Sequence, residues 1–336
     1  MCMQSSVRRA FSLLELLASI AIIAILISTL VFVMAGVRGA AQRTGNQAAL
    51  RQLGFALSSY GSDHQQRIMP GYLGYDGGQD MVTALGITGS LPTGETLPNN
   101  AELRSYVWRL SPYLDNAWQS MFEGYGAQKE KIIAQYQDGL YGPTTAGAGL
   151  GLSETPAFGM NSLFVGGDNT HGGPAAAFSP WNTSGNTKIA AVRFSEVRSP
   201  SSVISFMPAA QVNPTHPDFE AYRTGTFGES VGAATVLPPF TILSGSGSDA
   251  KWGDHQWTIG REDAMRHTDQ GDYDRFPGLP IVRGSGGSIP VVHLDGSTTL
   301  EALSELSRDM RRWSPFGTSR REQVLGEALP PYVDSP

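Results

Sequence analysis

The hydrophobic pattern of the chain has two regimes, and the change between them falls inside one unbroken stretch. From Leu16 to Val37 there is no charged residue, and Glu15 is the only charge between Arg9 and Arg38. Such a run matches the roughly 20 apolar residues that cross a hydrocarbon core. Ser19, Ser28 and Thr29 within it can return their hydroxyls to the helix's own carbonyls, and no proline interrupts it. The pattern predicts a membrane-spanning helix. From Gly36 to Tyr60 proline is again absent, but the pattern becomes periodic. Leu50, Leu53, Leu57 and Tyr60 recur at helical spacing with Ala49 and Ala56 beside them, while Gln42, Arg43, Asn46, Arg51 and Ser58 fall mostly elsewhere. This half is expected to lay an apolar stripe on a folded domain. Together the halves predict one helix of about 50 residues and roughly 75 Å.

Beyond it the pattern breaks into short pieces. Gly61 to Pro98 is rich in turn signals. Ser105 to Phe122 predicts a short helical pair broken by Pro112, Lys129 to Tyr136 a further helical turn or two, and Gly139 to Gly151 a low-complexity loop. Short β-branched runs predict strands at Phe158–Phe164, Val192–Phe194, Val203–Met207, Ile281–Arg283 and Ile289–Leu294, paired antiparallel. Thr299 to Trp313 predicts a helix with Leu300, Leu303 and Leu306 on one side, and little order is expected after Pro315. The class is α+β.

Composition adds limits. Hydrophobic residues make 40% of the 336, enough for a real core, and a net charge of −6 argues against a nucleic-acid surface. Gly 40 and Pro 21 exceed ordinary usage, which favours turns and loops over long helices outside the first stretch. The only cysteine is Cys2.

The order of residues ahead of the apolar run narrows its meaning. A secretory signal has a basic start, an apolar segment of roughly 7–15 residues and a small-residue cleavage site. The basic start is here and Val33-Met34-Ala35 has the small-x-small look, but the apolar run is too long. Instead Arg8-Arg9-Ala10 is followed by Phe11-Ser12-Leu13-Leu14-Glu15 and then the run. This resembles the prepilin N-terminal motif of type IV pilins and type II secretion pseudopilins. The resemblance implies cleavage between Ala10 and Phe11, an N-methylated Phe11, and Glu15 as the fifth residue of the mature chain. Ala10 stands where the family usually has glycine, and processing is expected to survive the change. Cys2 would leave with the leader. Ser12-x-x-Glu15 is also a capping box at a helix start. A carboxylate inside a bilayer costs about 2.5–3.5 kcal/mol on insertion scales and signals a partner; the resemblance names the terminal amine of Phe11 on a neighbouring subunit. The two roles are compatible. Arg8 and Arg9 on one side against Arg38, Arg43 and Arg51 on the other give a mixed charge vote, so the leader motif sets the orientation, N-terminus in the cytoplasm.

Further segments resemble one pilin-like family in order along the chain. They are Trp108-Arg109-Leu110-Ser111-Pro112-Tyr113-Leu114, Phe158-Gly159-Met160-Asn161, Arg198-Ser199-Pro200-Ser201-Ser202-Val203-Ile204, and Arg266-His267 followed by His293-Leu294-Asp295-Gly296, an RH…DG element. Two departures stand out: a Gly/Pro/Asp-rich insert between His267 and Asp295, and Ser297 where the family commonly has histidine. The resemblance implies a pilin-like fold, a long N-terminal helix packed on a small antiparallel sheet with large loop insertions.

Candidates for chemistry in the remainder are His255, His267, His293, Asp254, Asp269, Asp272, Asp274 and Asp295. His267 and His293 lack the spacing of HxxxH or HExxH metal motifs, and no Gly-x-Ser-x-Gly elbow appears. Asp295-Gly296-Ser297 after a strand reads as a tight turn. Asp269, Asp272 and Asp274 offer oxygen ligands to calcium, as in major pseudopilins, but off the EF-hand spacing; a solvated acidic loop is the competing reading. No other cofactor is expected, and no enzyme activity. The organisation expected is residues 1–10 as leader, 11–37 as the membrane half of the helix, 38–62 as its amphipathic half, 63–313 as an extracytoplasmic domain and 314–336 as a poorly ordered tail. The expected function is that of a pilin-like structural subunit in the bacterial inner membrane, single-pass, with its C-terminal domain periplasmic or extracellular. Its expected partners are prepilin peptidase, other pilin-like subunits, the inner-membrane assembly platform and the lipid bilayer, with no nucleic acid. The alternative is a membrane-anchored extracytoplasmic binding protein or enzyme that does not polymerise.

Overall fold

The computed structural model describes residues 13–76, 79–89, 97, 100–114, 117–137, 151–167, 190–211, 232–236, 242–243, 251–252, 278–280, 288–306 and 309–315. The long helix is continuous: α1 runs from Leu13 to Asp63, 51 residues. Its second half buries the expected stripe of Ala49, Leu50, Leu53, Ala56 and Leu57. Each buried leucine of this kind stabilises by about 1.5–3 kcal/mol, which anchors the helix far better than its own propensity could. One polar position was misplaced. Asn46 lies three and four residues before Ala49 and Leu50, so the 3.6-residue period carries it onto the same stripe, and it is fully buried.

Short elements follow. Strands β1 (Tyr75–Asp76) and β2 (Gln79–Asp80) pair with each other. Asp80 then caps α2 (Met81–Ala84), its carboxylate accepting from Val82 N. Helix α3 (Tyr106–Leu110) is capped by Ser105. It tightens to a 3₁₀ turn over Ser111–Leu114, with Pro112 inside that turn and not between two helices as expected, followed by 3₁₀ turns over Trp118–Gln128, and α4 (Lys129–Gln137) closes the run.

The main sheet is antiparallel, in the order β3 (Phe158–Met160), β4 (Ile204–Gln211), β8 (Ser288–His293), β9 (Thr298–Ala302), with β7 (Gly278–Pro280) on the far half of β4. A separate pair joins β5 (Ile242–Leu243) and β6 (Lys251–Trp252). The expected strand at 158–164 stops at Met160, because Asn161 turns the chain. The one at 192–194 is a single bridge, Arg193 with Arg67, ended when Glu196 takes the Val192 and Arg193 amides. Ile281–Arg283 lies outside the described residues.

The clearest correction is at 299–313, expected to be one helix. Gly296, at φ +84°, closes a tight turn in which Gly296 N donates to His293 O and His293 N to Ser297 O. The chain therefore folds straight back on β8, and the β-branched Thr298 and Thr299 continue as β9. Among the described residues helical structure returns in α5 (Leu303–Leu306) and a 3₁₀ turn at Met310–Arg312. One core joins the α1 stripe to Tyr106, Trp108, Phe122, Phe158, Phe206 and Val292. The architecture is a long helix on an antiparallel sheet, an α+β pilin-like fold.

Candidate functional site

The N-terminal half of α1 stands clear of the rest of the described chain. Leu13 is 82% exposed, and Leu14, Leu17, Ile20, Ile23, Ile27, Val31 and Val37 are all exposed as well. Its hydroxyls are internally satisfied as expected: Ser19, Ser28 and Thr29 donate to the carbonyls of Leu16, Ile25 and Leu26 at 2.8–2.9 Å. Hydroxyls satisfied within the helix suit an apolar surrounding. Among the described residues no helix is long and apolar enough to cross a membrane. Ala10, Phe11 and the side chain of Glu15 lie outside the described residues.

The second half is docked through the β8–β9 turn. Gly54 faces Val292 and the backbone of Gly296, Arg51 Nε donates to Thr298 Oγ1 at 2.9 Å, and lower down Gln42 Nε2 reaches Gly124 O at 3.5 Å. Two of the quoted segments, 158–161 and 198–204, meet in the sheet beside this dock. Tyr106 Oη donates to Phe158 O at 2.5 Å. Asn161 Nδ2 donates to Ile204 O and Trp313 O, both at 2.9 Å, and Trp313 Nε1 to Leu306 O at 2.8 Å. Arg109 is buried and donates to the carbonyls of Ser105, Gly71 and Arg104; burial lowers its pKa to about 10, against the pull of Tyr60 and Tyr72. Sequence reasoning quoted Asn161 and Arg109 in their motifs without a role, and gave Trp313 only as the end of a helix. Their roles depend on long-range partners that local pattern does not carry.

Of the candidates for chemistry, two are described. His293 is buried, with Nε2 2.9 Å from Thr299 Oγ1. Thr299 gives its one proton to Glu301 Oε1 at 2.9 Å, so the histidine is assigned as the donor to the hydroxyl. Glu301 in turn pairs with Arg312 at 3.4 Å. Burial is the largest influence on His293 and holds its pKa below the ordinary value; Glu301 and Asp295 pull upward and Arg312 downward. Asp295 takes the turn role expected, accepting from Ser297 N and Oγ. Slight burial would raise its pKa, but the two Ser297 hydrogen bonds and His293 hold it below the usual carboxylate value. His255, His267, Asp254, Asp269, Asp272 and Asp274 lie outside the described residues, and among the described ones no group of three or more His, Cys, Asp or Glu could hold a metal.

Residues 5–31 match the family model of the prokaryotic N-terminal methylation motif. No curated protein and no solved structure matches the chain. The matched segment covers the basic start, Ala10, Phe11, Glu15 and the exposed start of α1, and its motif is that of a pilin-type precursor. Such a motif implies processing by a prepilin peptidase, assembly with other pilin-like chains, and a structural subunit rather than an enzyme.

Proposed function

We propose that the chain is a pilin-like or pseudopilin structural subunit, inserted in the bacterial inner membrane with its N-terminus in the cytoplasm and its folded domain outside. It is cut between Ala10 and Phe11, methylated on Phe11, and assembled into a filament of the type II secretion or type IV pilus kind. The observation that supports this most is that the matched segment, residues 5–31, takes in the exposed start of a 51-residue helix whose other end is built into the domain core. An apolar helix surface with its hydroxyls internally satisfied passes from lipid to a bundle of like helices at little solvation cost. Glu15, paired with the Phe11 amine of a neighbour, would set the register. The acidic run Asp269, Asp272 and Asp274 remains a proposed calcium site only at the level of its ligand chemistry.

The test is the intact mass and N-terminal peptide of the protein from its native membranes. An N-methylated Phe11 terminus supports the reading. Retention of Met1, or a terminus at Gly36, overturns it in favour of an anchored or released domain that does not polymerise.

A further inference from the structure

The main sheet treats its two edges differently. The outer side of β3 is covered: Met160 bridges to Thr235, with Met160 N donating to Ala234 O and Val236 N to Met160 O. Among the described residues, nothing pairs with the outer side of β9. His293 bonds Ser297 across the turn, and the register pairs Val291 with Thr299 and Ile289 with Glu301. Hydrogen-bonded pairs alternate along an antiparallel ladder, so Thr298 and Leu300 turn both N–H and C=O outward, and Ala302 its N–H. None of these groups has a partner among the described residues. Of the usual protections of an edge, Thr298-Thr299-Leu300-Glu301-Ala302 has an inward-turned charge in Glu301 but no lysine, proline or bulge. Leu300 stands 43% exposed on this edge, and Phe55, 63% exposed on α1, flanks the Gly296 end of it. Arg51 lies over Thr298 and has no carboxylate within ion-pair distance among the described residues.

We propose that the outer edge of β9 is a strand-addition site for an extended segment of another protein, one with an apolar side chain against Leu300 and a carboxylate against Arg51. Main-chain bonds to residues 298, 300 and 302 supply the affinity, and Leu300, Phe55 and Arg51 the selectivity. A second copy of β9 is a poor occupant. Antiparallel self-pairing about Leu300 would bring Ala302 of the copy opposite Thr298 and Arg51, with no acid there. The one carboxylate of β9, Glu301, is buried and engaged with Arg312. The inference stands apart from the filament reading, since it needs neither processing nor polymerisation.

The experiment uses the full chain in detergent micelles and a capped seven-residue peptide of alternating valine and threonine with one central glutamate. Saturable binding should slow amide exchange at Leu300. Methylating the peptide amides that face β9 should weaken it about tenfold or more. Replacing the peptide's glutamate by glutamine should weaken binding severalfold, an effect absent in Arg51→Gln, and Leu300→Lys should abolish binding while thermal unfolding stays unchanged. Binding indifferent to N-methylation, or unchanged exchange at Leu300 at saturating peptide, overturns the proposal. So does exchange at Leu300 that is already slow without peptide because the chain self-associates through residues 298–302.

Discussion

Gly54 of the long helix and Gly296 of the β8–β9 turn meet backbone against backbone: a Cβ on Gly54 would stand 3.2 Å from Gly296 Cα and 2.8 Å from Val292 Cγ2. Alanine in place of glycine ordinarily gains about 1 kcal/mol of helix propensity, but overpacking a closed contact costs about 1–3 kcal/mol. Gly54→Ala should therefore lower the unfolding temperature of the domain. Gly45→Ala is the internal control, since its Cβ would meet only Glu123 Cγ at 3.9 Å, and it should be neutral or stabilising. Thermal unfolding of the two variants side by side decides the matter; equal behaviour would mean that the helix does not dock on the turn.

Asn161 holds the C-terminal segment to the sheet. Its amide nitrogen donates to carbonyls of two distant segments, Ile204 and Trp313, and the residue is fully buried. Asn161→Ala leaves buried carbonyls without a donor, at about 1–3 kcal/mol. The expected result is a lower urea midpoint and faster proteolysis after Leu306, with cleavage there preceding global unfolding. Loss of stability without early cleavage would mean that Trp313 is held by packing alone.

The long helix was legible because its two halves each carry a local signal: an unbroken apolar run, then leucines at 50, 53 and 57 whose burial follows from spacing alone. The Asp295-Gly296 turn was legible for the same reason. The helix expected at 299–313 was not found because Leu300, Leu303 and Leu306 mimic a helical stripe, whereas β9 is set by pairing with β8 across that same turn. Asn46 misled in the opposite way, its polarity outvoted by its place in the period. Of the candidate site, the basic start followed by an apolar run was legible as a motif, and residues 5–31 match its family model. The β9 edge, unpaired among the described residues, was invisible, because an edge is defined by long-range pairing and not by local pattern.

His293 should give the domain an acid sensitivity. Burial disfavours its cation, so the folded state binds the proton less readily than the unfolded chain, whose histidine titrates near 6.5. Above that pH both states hold a neutral ring and nothing is lost. As the pH falls below about 6.5 the unfolded state protonates first and stability declines, levelling off once the folded-state value is passed. Glu301 and Asp295 oppose the effect and Arg312 reinforces it. Unfolding temperatures between about pH 5 and 8 should fall on the acid side in the native chain and fall less in His293→Gln. Identical pH profiles would show that the ring does not carry the effect.

Glu15 has two proposed roles that mutation separates. As the N3 residue of a capping box with Ser12 it helps start the helix, and loss of the serine hydroxyl costs about 1 kcal/mol. As a charge in an apolar surround it pairs with a neighbour's Phe11 amine. If pairing dominates, Ser12→Ala should be cut, methylated and assembled, whereas Glu15→Ala should be cut but left out of filaments and held in the membrane. If capping dominates, the two variants should behave alike. Ala10→Gly restores the residue usual before the cut and should raise the processed fraction without changing the fate of either variant. Peptide mass spectrometry of membrane and sheared-filament fractions reads all three outcomes, and assembly of Glu15→Ala at the native level would remove Glu15 from the assembly mechanism.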